Sequence, residues 1–169
     1  MSTNPSEPSP STVETRNRMS DNPSPPAREP IQPKDATVLI VEDNALVAKF
    51  FRLALERAGG FHCLVTERVD EMLAEVEAGR VHVAILDVSL SNSEWEGRPV
   101  DGVELARLLK RRSPHPLPIL LATAHAMSGD RERLLAASGA DDYIEKPVYD
   151  AQQLVDKVRQ LLGTESPAP

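Results

Sequence analysis

The sequence predicts an α/β fold: a doubly wound parallel sheet of five strands with helices on both faces. Three observations lead there. Short apolar runs alternate five times with longer amphipathic segments between Thr37 and Leu162, which is the rhythm of βαβ units. The runs are apolar at successive positions, as strands buried on both faces must be. Polar residues then follow the strands at one end: Glu42-Asp43, Asp87, Thr123 and Lys146. In an open parallel sheet that end is where ligands bind.

The first run, Val38–Val41, reads as a strand. Ala45–Ala58 carries a helical stripe at Val47, Phe51, Ala54 and Ala58, stopped by Gly59-Gly60, since glycine ends helices readily. Phe61–Thr66 reads as the second strand, and Val69–Ala78 as a helix ended by Gly79. Val81–Leu86 is the third strand and runs into Asp87. Ser89–Val100 is predicted as loop. Asp101-Gly102 opens the next helix, Val103–Arg112, which Pro114 closes. Pro118–Ala122 is the fourth strand, ending at Thr123. Asp130–Ala137 is helical, with Gly139 near its end, and Tyr143–Ile144 is a short strand before Lys146-Pro147. Ala151–Leu162 is the last helix.

Residues 1–35 differ in kind. They hold 8 of the 15 prolines and few large apolar side chains. Such a segment buries too little surface to offset its ordering entropy, so it is expected to be a disordered tail. A short disordered tail is also expected over 164–169, leaving one folded domain over 36–163.

Composition narrows the function classes. A net charge of −7 and a pI near 5.1 argue against nucleic acid as the main partner. The single cysteine, Cys63, allows no intrachain disulfide and fits a reducing compartment. No apolar run reaches membrane-helix length and no signal-peptide pattern opens the chain. The reading is a soluble, cytoplasmic protein.

Adjacent carboxylates repel unless a cation sits between them. Glu42, Asp43 and Asp87 all follow strand ends and converge on one sheet edge. A hard divalent ion with oxygen ligands, Mg²⁺, answers that repulsion. Lys146 adds a compact positive charge and Thr123 a hydroxyl. Together these groups suit phosphoryl chemistry on a carboxylate.

The motifs VLIVEDN, ILDVSL, DGVEL, LLATAHAM and DDYIEKP, in that order over about 37–162, resemble the receiver domain of two-component response regulators, the CheY-like superfamily. The resemblance implies the flavodoxin-like fold, (βα)5 with strand order 2-1-3-4-5. It implies Asp87 as phosphoacceptor, and Glu42, Asp43, Asp87 and the Ser89 backbone carbonyl as Mg²⁺ ligands. It further implies Thr123 as switch hydroxyl, Lys146 as phosphate-pairing lysine and Tyr143 as the aromatic that follows the switch. Pro147 matches a proline often preceded by a cis bond. His125 matches a position that tunes phosphoryl lifetime, or is a solvated loop histidine.

Partners implied are a sensor histidine kinase or a histidine phosphotransfer protein, with an unnamed downstream protein target. No helix-turn-helix follows Leu162 in this sequence, so the reading is a stand-alone receiver: a phosphoacceptor, not a turnover enzyme. A relay that passes phosphate on, or a degenerate receiver that only binds, stay open as alternatives. A phosphatase of the haloacid-dehalogenase type would need an aspartate at position 89, where this chain has Ser89.

Two regions depart from the pattern. Asp101 follows Asp87 at a longer spacing than is usual in the family, and the loop between them, with its 91–99 insertion, holds Trp95, the one tryptophan. This insertion is either a lid or partner contact, or a tolerated extension. Ser138 adds a residue before Gly139. On the first helix, Phe50 lies about 100° from Phe51, off the core stripe, with Val47 at its edge. Phe50 and Val47 are expected to dock the helix pair of the phosphoryl donor; the other reading folds Phe50 onto the last helix.

Overall fold

A computed structural model of the chain describes residues 31–124 and 130–163. Five parallel strands form the sheet: β1 (Thr37–Val41), β2 (His62–Val65), β3 (Val83–Asp87), β6 (Ile119–Thr123) and β7 (Asp142–Glu145). Their order is β2-β1-β3-β6-β7, which is the predicted 2-1-3-4-5 once two short hairpin strands are set aside. Those are β4 (Glu94–Trp95) and β5 (Arg98–Pro99), paired antiparallel. The helices are α1 (Ala45–Ala54), α2 (Val69–Glu77), α3 (Gly102–Arg112), α4 (Asp130–Ser138) and α5 (Ala151–Leu162).

Two apolar layers sandwich the sheet. Leu39, Val41, Ala84, Leu86, Ile119 and Leu121 face α2 and α3, where Met72, Leu105 and Leu109 are fully covered. Val38, Ile40, Ile85, Leu120 and Ile144 face α1 and α5, where Phe51, Leu154, Val155 and Val158 are covered. Alternate residues of each strand point to opposite layers. This is why the strands are apolar throughout: β1, β3 and β6 have sheet neighbours on both sides and a helical layer on each face.

Polar side chains satisfy the backbone at several helix ends. The Asn44 side chain accepts from the Leu46 and Val47 amides at 3.0 and 3.2 Å, opening α1. Asp101 accepts from Glu104 N–H at 2.8 Å, opening α3, and Asp150 accepts from Gln152 N–H at 2.8 Å, opening α5. Ser138 closes α4 as its last residue, buried, with Oγ donating to the Leu134 carbonyl at 2.6 Å and accepting from Ala140 N–H at 3.0 Å.

Three differences from the sequence reading have physical causes. The first helix does not run regularly to Ala58: after Ala54 it widens into a π-type turn, Leu55–Gly59. Leu55, four residues after Phe51, is still on the buried face, whereas Ala58 inside the widened turn is exposed and Gly59 is buried instead. The expected tail reaches into ordered chain: Pro33–Asp35 form a 3-10 turn, Ile31 packs on the α1/α5 layer and Ala36 is fully buried. The rest of that tail, residues 1–30, and residues 164–169 lie outside the described residues, as does His125. Last, the Ser89–Val100 loop contains the β4–β5 hairpin. Glu96 and Gly97, with φ of 52° and 77°, make its turn, the left-handed pair that suits a tight hairpin.

Among the described residues, no helix is long and apolar enough to cross a membrane.

Candidate functional site

Parallel packing carries the ends of β1, β3, β6 and β7 to one edge. Asp87 pairs in register with Ala122, and Thr123 with Glu145. Lys146 N–H donates to the Thr123 carbonyl at 2.7 Å, so the chain leaving β7 starts from a set position beside β6. The Lys146–Pro147 peptide bond is cis. Gly102 opens α3 directly over the end of β3: a Cβ there would lie 2.0 Å from the Asp87 carbonyl oxygen. Only glycine permits that approach.

Glu42, Asp43 and Asp87 each offer an oxygen within 4.8 Å of the others. Glu42 and Asp87 are buried, at 3% and 4% exposure, and Asp43 is half-buried. Lys146 Nζ reaches Glu42 Oε2 at 2.8 Å and Asp87 Oδ2 at 2.9 Å. Its ammonium thus bridges two of the three carboxylates. Asp87 Oδ1 accepts from Ser89 N–H at 3.1 Å, and Glu42 Oε1 from Asn44 N–H at 3.1 Å. Asp43 Oδ2 accepts from Ser91 N–H at 3.0 Å. Thr123 is buried beside them, at 4% exposure.

The electrostatics record the crowding. Burial pushes the Glu42 carboxyl above its ordinary pKa. The Lys146 hydrogen bond pulls it down, and the Asp87 charge pushes it up again. Burial alone would lower Lys146, but its hydrogen bonds to Glu42 and Asp87 outweigh that and hold it above its ordinary value. The two ends of one ion pair thus shift the same way for different reasons. Glu42, the more deeply buried partner, carries the desolvation, and Lys146 collects attraction from two anions.

The donor set is all oxygen and its charge is only partly met by one lysine. It suits a hard divalent cation, which prefers carboxylates over nitrogen or sulfur ligands. Glu42, Asp43 and Asp87 are the residues able to hold one.

The remaining residues named from the sequence fall around this centre. Ser89 is exposed directly after β3. Tyr143, half-buried on β7, has the Arg131 guanidinium of α4 over its ring at 4.9 Å, a cation–π contact. Val47 and Phe50 are half-buried and pack against the α1/α5 layer, and the Phe50 and Phe51 ring centres are 6.2 Å apart. They line a shallow cleft of about 180 Å³ with Leu46, Lys146, Pro147 and Val148. Phe50 is thus packed on the α1/α5 layer, as the second sequence reading expects, and it also borders this cleft. Cys63 is half-buried; burial pushes its thiol up to about 12, which keeps it protonated and inert at neutral pH.

Three neighbours of the site were not singled out from the sequence. Leu46 is 80% exposed at the head of α1; an apolar residue off the core stripe was its only signal. Ser91 contributes a backbone amide, which no side-chain pattern reveals. The stacking of Arg131 on Tyr143 joins residues twelve apart on two different elements and needs the fold.

Comparison with known proteins gives the same picture. The family model of the response regulator receiver domain matches residues 38–159. The chain is 33% identical over 132 residues to the phosphate regulon transcriptional regulatory protein PhoB of Pseudomonas aeruginosa, covering 78% of this chain and 53% of PhoB. It is 31% identical over 128 residues to the polar-differentiation response regulator DivK of Brucella anthropi, covering 75% of this chain and 96% of DivK. The chain therefore spans about half the length of PhoB and nearly all of DivK. Among solved structures, a putative response regulator from Chloroflexus aurantiacus superposes with a TM-score of 0.61 at 30% identity, covering 76% and 98% of the two chains. A CheY-like receiver domain protein from Methanospirillum hungatei shares the fold, with a TM-score of 0.61 at 24% identity over 76% and 94%.

Proposed function

The chain belongs to the response regulator receiver domain family of two-component systems, and we propose that it accepts a phosphoryl group on Asp87 from a phosphohistidine. The observation that carries this reading is the pairing of Asp87 Oδ2 with Lys146 Nζ at 2.9 Å inside a cluster of three carboxylates. The ammonium lies beside the carboxylate oxygen that would attack, and carboxylates serve as nucleophiles in covalent catalysis.

In the proposed reaction a carboxylate oxygen of Asp87 attacks phosphorus in line. The P–N bond to the donor imidazole breaks and an acyl phosphate forms. Lys146 is placed to follow the new phosphoryl oxygens, as a compact ammonium suits that role. Glu42, Asp43, Asp87 and the Ser89 carbonyl are the groups proposed to hold Mg²⁺. Bound there, the ion would neutralise charge that develops on the transferring group. Thr123 then turns its hydroxyl toward the phosphoryl group and Tyr143 changes rotamer behind it. For Tyr143 to move, its contact with Arg131 must break, so that contact opposes the switch. Output is a protein contact that depends on this population shift. A sensor histidine kinase or phosphotransfer protein is the donor, and its helix pair docks on the cleft lined by Leu46, Val47 and Phe50, beside Lys146.

The test is labelling by acetyl phosphate with Mg²⁺. Wild type should acquire one acid-labile phosphate by mass spectrometry, and Asp87→Asn none. Label on Asp87→Asn at wild-type stoichiometry overturns the assignment. Phe50→Ala should slow transfer from a histidine kinase and leave acetyl phosphate labelling intact. Equal loss of both places the docking surface elsewhere.

A further inference from the structure

The β4–β5 hairpin does more than lengthen the loop after Asp87. It stands beside α3 and the two enclose a groove of about 440 Å³. Arg98 and Trp95 line it from the hairpin, and Arg107, Arg111 and Arg112 from the helix. Glu96 and Glu104 complete the charged lining. Four arginines against two glutamates leave an excess of two positive charges, in a chain of net charge −7.

Part of this charge has an internal use. Arg112 pairs with Glu77 of α2 at 2.8 Å, and Arg98 pairs with Glu104 at 3.1 Å across the groove. Arg107 donates through Nε to the Ala137 carbonyl of α4, and no other hydrogen bond or ion pair engages its guanidinium among the described residues. Arg111 is exposed and has no hydrogen bond or ion pair among the described residues. Basic residues at a helix C-terminus also complement the helix dipole, but that role needs neither a groove nor the hairpin opposite. Trp95 packs one part of its ring on the α2/α3 core layer and presents the rest to the groove.

We propose that this groove is a docking site for an acidic segment of a partner protein, with Arg107 and Arg111 taking its carboxylates and Trp95 its apolar flank. Guanidinium forks match carboxylates in geometry, and tryptophan with arginine is the composition of binding hot spots. The two glutamates set the ligand class. A densely charged nucleic acid backbone would meet Glu96 and Glu104 at close range, whereas a peptide can space its acids to avoid them. The hairpin that builds the groove is fastened at four points. Ser91 N–H donates to Asp43, Ser93 Oγ lies 3.4 Å from the Glu67 carbonyl, Val100 N–H donates to Ser93, and Arg98 meets Glu104. The site is therefore formed before any partner arrives, which lowers the cost of binding. None of the groove-lining residues belongs to the Glu42, Asp43 and Asp87 cluster, so binding there is measured without metal or phosphodonor and apart from the function of Asp87.

The experiment is a titration of the full chain with a glutamate-rich octapeptide, its glutamine counterpart and a single-stranded DNA octamer. Trp95 fluorescence and amide and arginine Nε–H NMR shifts are the readouts; as the only tryptophan, Trp95 reports alone. The acidic peptide should shift Trp95, Arg107 and Arg111, and the effect should fade with added salt. Arg111→Glu should weaken binding by at least about tenfold, as loss of an arginine hot spot does, with an unchanged melting temperature. Arg107→Glu combined with it should abolish the shifts. The proposal is overturned if the acidic peptide moves none of these signals, if the glutamine peptide binds equally, if DNA binds more tightly, or if Arg111→Glu keeps wild-type affinity.

Discussion

The ion pair at the sheet edge and the ion pairs on the helix surfaces use the same chemistry in different surroundings. Lys146, Glu42 and Asp87 meet at 2.8 and 2.9 Å with their side chains nearly removed from water. Arg80 and Glu75 on the α2 side meet at 2.6 and 2.8 Å, a bidentate contact of better geometry, with side chains 58% and 34% exposed. Distance alone would rank the surface pair first. Burial reverses the order. Water screens the surface pair and offers each partner an alternative, while the buried groups have only one another. The comparison teaches that function here follows from where charge is held, not from how short the contact is.

The largest expected effect comes from removing the buried cation. Lys146→Ala leaves Glu42 and Asp87 facing each other without compensation, which should cost about 3–5 kcal/mol of unfolding free energy. Urea denaturation without divalent ions measures it. Added Mg²⁺ should restore part of the loss by binding the folded state. A change below about 1 kcal/mol would break the comparison, since the carboxylates would then be as well solvated as those on the surface.

An intermediate effect should follow at Asp101. It is exposed, yet its carboxylate accepts the Glu104 N–H at 2.8 Å at the head of α3. A backbone amide has no intrahelical partner there, so Asp101→Ala should cost about 0.5–2 kcal/mol. Asp101→Asn, which can still cap, should recover most of it in the same measurement. Equal losses for both variants would show that charge, not the hydrogen bond, is what matters.

The smallest effect is expected for Arg80→Ala, with unfolding hardly changed despite the bidentate geometry, because the pair is exposed to water. Its clearer signature is in titration. The Arg80 hydrogen bond holds the Glu75 carboxyl below its ordinary value of 4.5. A depressed folded pKa contributes stability that is present above the unfolded value and lost as pH falls through the folded one. In Arg80→Ala the Glu75 pKa, followed by NMR, should return upward, and the pH dependence of stability below 4.5 should flatten. An unmoved Glu75 would mean that water already breaks this pair.

Much of the architecture was legible from one dimension because two periodicities were clean. Strands buried on both faces leave unbroken apolar runs, and four of the five runs led into a polar residue that the fold places at the site. Asn44 and Asp101 opened α1 and α3 as helix caps. The π-type turn at Leu55–Gly59 was hidden, because a single widened turn leaves the apolar spacing up to Leu55 that of an ordinary helix. The β4–β5 hairpin was hidden for a similar reason. Strands of two residues are too short to show alternation, and only the Glu96-Gly97 turn hinted at them.

Sequence by itself determined which chemical groups stand at the strand ends, since the alternation of strands with helices and the polar residues after four of the strands are local facts that a parallel sheet brings to one edge. Tertiary structure decided how those groups are coupled. That Lys146 bridges Glu42 and Asp87, that Ser91 ties the inserted hairpin to Asp43, and that Arg131 covers Tyr143 are relations between residues distant in the chain. The same holds for the arginine groove: Arg107, Arg111 and Arg112 read as an ordinary basic helix end until the hairpin is folded against them. Local pattern specifies an element because its period is short. The worth of a charge is set by desolvation and by partners, and both exist only once the chain is packed.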